Sequence, residues 1–420
     1  MPKVCLNFSV AAAASVAAAT LMSAQPVQAD TVCDWWEFAN KVSPQYGGGA
    51  PEQQRTVTRV SLAMFEALNA IDRRYESYLK LPAGDPTASQ DAAAVTAAYQ
   101  VMLHHYPDKK AALEENYTIA MAAITDEGKR EAGRLIGEQA AKAAIAAGGI
   151  DPAVPQAPYR PRTAPGMFVS VPLPQLESHY GAYRPWAVPS YEALRPPPPV
   201  ALTSDRWGRD YEEVRRLGGK TSKERTPYQT LVAKYRQAYD LTPTLRMVAD
   251  QPGRRPVQNA RMFALYNMAL DDAAVAMVTA KQHYEFWRPI TAIRNGAEDG
   301  NDATQPDLAW TPLIATPNFQ EYPCGHCTAA AANAEVLKTE TGPKPAGGVK
   351  VGSIGMPLAA VHVLPSWDAW VQEVSDSRMY GGVHYRFSNE AGEEIGRKAA
   401  KIVLETVARP LPVVRARARR

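Results

Sequence analysis

The chain has 420 residues, of which 46% are hydrophobic and 21% charged, and it carries 46 Lys and Arg against 43 Asp and Glu. This composition is typical of a globular protein and argues against wholesale disorder. The formal net charge of +3 argues against a nucleic-acid-binding protein that depends on a general excess of basic residues. The length permits one large domain or two to three smaller ones.

Residues 1–29 have the pattern of a secretory signal peptide. Lys3 precedes an apolar, alanine-rich run, which ends in Val27-Gln28-Ala29. The run is shorter than the ~20 apolar residues that a membrane-spanning helix requires, so a membrane anchor is the less favoured alternative. We therefore expect export to the periplasm or the medium after cleavage near Ala29, with no membrane span in the mature chain.

Export also bears on the cysteines, because Cys5 would leave with the signal peptide. Cys33, Cys324 and Cys327 would remain in an oxidising compartment. One disulfide and one free thiol is the simplest outcome, and the sequence leaves the pairing open.

Residues 30–150 predict an N-terminal helical bundle. Apolar residues recur there at intervals of three and four, and the pattern is interrupted near Pro107 and at Gly148-Gly149. Four apolar-striped helices with short connections are typical of a bundle.

Residues 151–203 are rich in proline, which excludes a long helix or a central strand. The same segment carries aromatic residues, among them Phe168, Trp186 and Tyr191, whereas a flexible linker would be polar. We interpret it as an extended connector packed over the helices, and a disordered linker is the alternative.

Residues 204–409 predict a second, C-terminal helical domain, whose longest helix runs from about Val257 to about Trp287. No strand-type alternation extends over more than a few residues, so the predicted fold class is all-α. Residues 410–420 form a basic tail, which we interpret as a solvated terminus.

Two motifs in this domain place basic side chains near helix ends. Lys281 and Arg288 are seven residues apart and precede Pro289, so the spacing predicts that both lie on one helix face. Further along, Arg378 and His384 flank a pair of glycines just before a predicted helix. A guanidinium group offers a planar set of donors that suits a tetrahedral oxyanion.

A third motif, Tyr322-Pro323-Cys324-Gly325-His326-Cys327, lies between these two and precedes an alanine-rich helix. The helix directs its N-terminal amides and positive dipole end to this loop, and Gly325 permits close backbone approach. The three motifs together supply cations, imidazoles and an amide. Because clustered cations are costly without an anion, they predict a phosphate-like ligand and no divalent cation.

The order Lys-x6-Arg-Pro, Pro-Cys-Gly-His and Ser-Arg-x5-His resembles the three-part signature of the vanadium-dependent haloperoxidase and type 2 phosphatidic acid phosphatase superfamily. The signature covers about residues 281–388. The helical upstream half and the Pro-rich middle resemble the bacterial secreted haloperoxidase-like branch. The resemblance implies two four-helix-bundle-like halves, with the site at one end of the C-terminal half.

The resemblance also implies residue roles. His326 would be the general acid/base, and His384 would be the axial ligand of vanadium or the nucleophile of a phosphatase. The oxygens of vanadate or phosphate would be bound by Lys281, Arg288, Cys324, Gly325 and Arg378. In a haloperoxidase the reactants would be hydrogen peroxide and halide, and in a phosphatase the substrate would be a phosphomonoester.

The sequence departs from the family pattern at two positions. Cys324 stands where the signature has Ser, and a thiol donates a weaker hydrogen bond than a hydroxyl. A free thiol would also be oxidised by peroxide, so a peroxidase requires Cys324 to be in a disulfide or poorly reactive. Ser388 stands where the family often has an Asp that orients the axial histidine, and we expect Ser388 to accept the same ring N–H bond less firmly.

Several functions therefore remain open from the sequence. A vanadium-dependent haloperoxidase is favoured over an acid phosphatase that forms a phosphohistidine at His384 and over a non-catalytic oxyanion-binding homologue. Cys324-Gly325-His326-Cys327 also matches the dithiol of thiol–disulfide isomerases, but that chemistry requires a βαβ setting that the sequence does not predict. The oligomeric state cannot be read from the sequence.

Overall fold

The computed structural model describes residues 30–43, 51–151, 162–171, 180–354 and 362–412, with the backbone alone at residues 51, 52 and 180. The predicted signal peptide and most of the predicted basic tail lie outside these residues. Among the described residues, no helix is both long and apolar enough to cross a membrane.

The N-terminal half is helical, as its periodicity predicts. Three of its helices begin at capping side chains: Asp30 accepts a hydrogen bond from Cys33 N, Ser89 accepts one from Ala92 N, and Asp126 accepts one from Lys129 N. The helices of this half are α1 (Thr31–Val42), α2 (Pro51–Ile71), α3 (Gln90–His105), α4 (Lys110–Ala122) and α5 (Glu127–Ala146).

The C-terminal half is helical too, and its longest helix spans 29 residues. Its helices are α6 (Asp205–Gly218), α7 (Pro227–Tyr235), α8 (Thr242–Ala249), α9 (Pro256–Tyr284), α10 (Pro289–Arg294), α11 (Gly325–Thr341), α12 (Trp367–Tyr380) and α13 (Arg386–Thr406).

Helix α9 joins the two halves. It packs against α2 of the N-terminal half and against α11 and α13 of the C-terminal half, so it is buried around most of its circumference. One hydrophobic core extends across these contacts, from Leu62 and Phe65 on α2 to Leu337 on α11 and Trp370 on α12. The domain boundaries at residues 150 and 203 stay a prediction.

The all-α fold class is confirmed, with one small addition. The described residues also form a three-stranded antiparallel sheet of β1 (Tyr239–Asp240), β2 (Val349–Ser353) and β3 (His362–Leu364). Strands β1 and β3 have two and three residues, which is too short for the alternation that signals a strand in a sequence, and burial in the five-residue β2 alternates only over its first three residues.

The Pro-rich connector packs on the helices, as predicted, over its described residues. Trp186 is 4% exposed and donates from its indole Nε1 to Asp271 Oδ2 over 2.5 Å. Asp272 accepts hydrogen bonds from the backbone N–H of Trp186, Ala187 and Val188. Two adjacent carboxylates on α9 therefore fix the middle of the connector.

Glycines bring α11 and α13 into close contact. A Cβ atom at Gly396 would overlap Thr328 O and would lie 2.8 Å from Ala332 N, both on α11. Gly392, one turn earlier on α13, approaches Cys324 O in the same way. Because Cys324 immediately precedes α11, this contact also sets the position of the loop before that helix.

We predict that Gly396→Ala lowers the free energy of unfolding by about 1–3 kcal/mol, because the added methyl group forces two packed helices apart. Gly149→Ala is the matched control, since no atom lies within 4 Å of its Cβ position, and it should change stability by less than about 0.5 kcal/mol. Urea denaturation measures both. Equal stability of the two variants would contradict the close contact.

Candidate functional site

Lys281 and Arg288 converge on one pocket, although not on one helix. Helix α9 ends at Tyr284, because Glu285 adopts a left-handed conformation with φ of 48°, and Arg288 precedes the first turn of α10. The prediction that the two cations share a helix face is therefore wrong. They meet over the ring of Phe319, with Lys281 Nζ 5.4 Å and Arg288 Cζ 5.1 Å from its centroid.

Backbone carbonyl groups hold both cations in place. Lys281 Nζ donates to Gln320 O over 2.9 Å and to Glu321 O over 2.6 Å. Arg288 donates to Phe319 O and Val383 O, each over 2.9 Å. The side chains of Lys281 and Arg288 are buried, so these carbonyl groups replace the water that would otherwise solvate the charges.

Cys324 and Cys327 form a disulfide with a Cα–Cα distance of 5.4 Å, which answers the question of pairing. Cys324 also caps α11, since its Sγ accepts a hydrogen bond from Cys327 N over 3.3 Å. The expectation that the Cys324 side chain donates a hydrogen bond to an oxyanion is therefore wrong, because a sulfur in a disulfide carries no proton. Cys33 is buried and free.

Gly325 and His326 form the first turn of α11. The amide of Gly325 is one of the N-terminal N–H groups that have no partner within the helix. His326 is half-buried, and its Nε2 lies 2.9 Å from Gln237 O. A carbonyl oxygen only accepts, so Nε2 carries the proton and Nδ1 keeps its lone pair. Burial and then Arg378 lower the pKa of His326 to about 3.

Arg378 lies in the last turn of α12, and His384 lies in the loop that leads to α13. Gly382 lets the chain turn between them with φ of 75°, and a Cβ atom there would overlap Gly218 O. His384 Nε2 accepts a hydrogen bond from Arg288 Nη1 over 3.2 Å. His384 thus contacts the first motif directly, and Arg378 lies close enough to His326 of the other motif to lower its pKa, so the three motifs meet.

Glu321 is a site residue that the sequence reasoning missed. It is fully buried, and its Oε1 accepts hydrogen bonds from His384 Nδ1 over 2.6 Å and from Tyr385 N over 3.3 Å. The structure gives Glu321 the role expected of Ser388, whose hydroxyl lies beside the Glu321 carboxyl and lowers its pKa. In the sequence, Glu321 is recognisable only as an acidic residue directly before Tyr322-Pro323. Its spacing from His384 does not indicate that the two side chains are in contact.

The ionisation of the pair follows from its surroundings. Burial lowers the pKa of His384 well below its ordinary value, and Arg288 and Lys281 lower it further. Burial raises the pKa of Glu321 to about 7, and the same two cations oppose that rise. His384 is thus a neutral imidazole that donates from Nδ1 to Glu321 and accepts at Nε2 from Arg288.

The pocket has more buried donors than acceptors. Arg288 Nη2 and Arg378 Nε and Nη1 are buried and have no hydrogen-bond partner among the described residues. Burial lowers the pKa of Arg288 to about 9 and that of Arg378 to about 10, which is a measure of how costly these charges are without an anion. Guanidinium N–H groups that are free to donate, arranged beside a neutral imidazole, suit a tetrahedral oxyanion such as vanadate or phosphate.

Known proteins that resemble this chain include vanadium-dependent enzymes. Residues 261–412 match the family model of the VCPO second helical-bundle domain. The vanadium chloroperoxidase of Curvularia inaequalis is 28% identical over 186 residues, which is 36% of this chain and 30% of that protein. The match thus spans less than a third of the relative's length.

Solved structures extend the likeness of the fold to almost the whole chain. The first bacterial vanadium-dependent iodoperoxidase superposes with a TM-score of 0.74 at 20% identity, and the match covers 91% of this chain and 98% of that one. A holo-type bacterial vanadium-dependent chloroperoxidase superposes with a TM-score of 0.67 at 16% identity, covering 88% and 94%. Residues 261–412 thus resemble the VCPO second helical-bundle domain, and the chain as a whole has the fold of the bacterial vanadium-dependent haloperoxidases.

Proposed function

We propose that the chain is an exported vanadium-dependent haloperoxidase that binds vanadate and oxidises halide with hydrogen peroxide. The observation that carries the proposal is a set of buried guanidinium nitrogens of Arg288 and Arg378 beside His384, which have no hydrogen-bond partner within the described part of the chain. The Cys324–Cys327 disulfide supports export, because disulfides persist in oxidising compartments.

In this proposal the cations of Lys281, Arg288 and Arg378 would bind the oxygens of vanadate, and the Gly325 amide would add a hydrogen bond. His384 Nε2 would be the protein ligand of vanadium. The chemistry that the bound group would supply is the activation of hydrogen peroxide for the oxidation of a halide.

The protein groups then control protons and orientation. Glu321 holds the proton of His384 on Nδ1, which leaves Nε2 unprotonated and raises its basicity. His326 donates its Nε2–H to Gln237 O, so its Nδ1 would be the nitrogen that exchanges a proton with the reactants.

The same Nε2 lone pair favours a second candidate function, an acid phosphatase that forms a phosphohistidine at His384. The two functions are separated by assaying the purified chain with and without vanadate. Vanadate-dependent formation of triiodide from iodide and peroxide supports the haloperoxidase. Release of phosphate from p-nitrophenyl phosphate that vanadate inhibits supports the phosphatase, and binding of phosphate with neither activity supports a non-catalytic homologue.

We predict that His384→Ala reduces halide oxidation to the background rate and weakens vanadate binding, because the variant loses the imidazole that would hold the vanadium. His104→Ala is the matched control: His104 is exposed at the end of α3, and this variant should keep full activity. Triiodide formation and equilibrium dialysis of vanadate measure the two effects. If His384→Ala retains both activity and binding, the site assignment is wrong.

We predict that Glu321→Gln lowers kcat for halide oxidation by about 10- to 100-fold. The amide oxygen still accepts the His384 Nδ1–H bond, so the variant removes the charge and keeps the tautomer. Glu390→Gln, which alters an exposed ion pair with Arg206, should leave kcat unchanged. An unaltered kcat for Glu321→Gln at saturating vanadate would show that the carboxylate does not act through His384.

The cost of the lost serine hydroxyl can be measured with two double variants that both lack the disulfide. Cys324→Ser with Cys327→Ala offers a hydroxyl donor, whereas Cys324→Ala with Cys327→Ala offers none. One hydrogen bond to a charged oxygen contributes about 1.5–3 kcal/mol, so we expect the serine variant to bind vanadate at least tenfold more tightly. Equal affinities would place residue 324 away from the oxyanion.

A further inference from the structure

A surface cavity of about 530 Å³ opens beside His326 and has no role in the oxyanion chemistry above. One of its lining residues is Gln237, whose carbonyl oxygen accepts the His326 Nε2 hydrogen bond. Another is Ile314, whose backbone N–H donates to Gly381 O in the loop between Arg378 and His384. The cavity wall is thus bonded directly to two of the three motifs.

The small sheet builds the opposite wall. Tyr239 of β1 pairs with Ser353 of β2, and Ile354 N donates to Ala238 O over 2.8 Å. These contacts hold residues 353 and 354 beside Gln237 and Ala238. The cavity is therefore made by tertiary pairing of segments that are distant in the sequence.

The lining has an apolar side and a polar rim. Ala238, Leu313, Ile314 and Ile354 provide the apolar side, and Ile354 remains 58% exposed, which leaves its side chain available to a ligand. Lys234, Gln237 and Ser353 provide the rim. Lys234 is exposed and forms no ion pair with a carboxylate of the described residues.

Size and charge together define the occupant. The volume greatly exceeds that of a halide or a peroxide and lies within the range of sites for small organic molecules. The apolar side suits an aromatic ring, and the unpaired ammonium group of Lys234 suits a carboxylate.

We propose that this cavity binds the organic acceptor of the reaction, a phenol that carries a carboxylate. The proposal rests on the proposed haloperoxidase function, which supplies the halogenating agent: halide, hydrogen peroxide and a proton give hypohalous acid and water. Hypohalous acid then transfers its halogen to the ring of the phenol. A carbon–halogen bond replaces a carbon–hydrogen bond, and the displaced proton leaves with hydroxide as water.

Direct binding tests the site without any need for turnover. The probe is 4-hydroxyphenylacetate, and 4-hydroxyphenethyl alcohol is the neutral comparison ligand; affinities are measured by calorimetry or by ligand-observed NMR. Ile354→Asp should weaken binding of the acid by at least tenfold, since it removes the apolar contact and adds a like charge. Val363→Asp is the matched control, because Val363 is equally exposed at 58% on β3 and does not line the cavity, so it should bind as the wild type does.

Recognition of the ligand's carboxylate is tested by reversing the charge at one lysine of the cavity. Lys234→Glu should weaken binding of 4-hydroxyphenylacetate by about fivefold or more and leave the affinity for 4-hydroxyphenethyl alcohol unchanged. Lys350→Glu, on the exposed side of β2 and outside the cavity, should change neither affinity. The proposal is overturned if the wild type binds neither probe, or if a control variant weakens binding as much as its cavity partner does.

Turnover separates this proposal from the proposed function. Triiodide formation needs no organic acceptor and should be unchanged in Ile354→Asp, whereas the KM for bromination of 4-hydroxyphenylacetate should rise about tenfold. Bromination whose rate is independent of acceptor concentration in the wild type would overturn the acceptor site. Tight binding of the acid by a chain without halide oxidation would support the site and contradict the haloperoxidase function.

Discussion

The structure depends on keeping three buried cations together at one point. Lys281, Arg288 and Arg378 come from the ends of α9, α10 and α12, and in isolation their desolvation would oppose folding. Carbonyl groups of residues 319–321 and of Val383 solvate Lys281 and Arg288. The positive charge that remains would favour a bound oxyanion, so the cost of these charges to folding and the proposed capacity to bind an anion would have one source.

Glu321 links this charge cluster to the chemistry. Its backbone carbonyl group accepts from Lys281, and its carboxylate accepts from His384, so one residue both solvates a cation and fixes an imidazole. The disulfide at residues 324 and 327 holds the adjoining turn where a hydroxyl donor would otherwise stand. The site thus has one donor fewer than the family signature implies, and it gains a loop without a reactive thiol.

Helices and motifs were predictable because their signals are local. Apolar periodicity located α2, α3, α5 and α9, and proline or glycine marked several of their ends. The prediction that Lys281 and Arg288 share one helix was wrong because Glu285 takes a left-handed conformation, which its residue type does not predict. The sheet was missed because β1 and β3 are very short, burial in β2 does not alternate throughout, and the strands form only through their pairing.

By itself, the sequence determined the all-α fold class, and it predicted that three motifs share a site with an oxyanion as its ligand, because residue type fixes charge and hydrogen-bonding capacity. Only the tertiary structure decided that Cys324 pairs with Cys327, that Glu321 rather than Ser388 orients His384, and that a cavity adjoins His326. These features depend on distances between segments far apart along the chain. Such distances are set by helix packing and strand pairing, which no local pattern encodes.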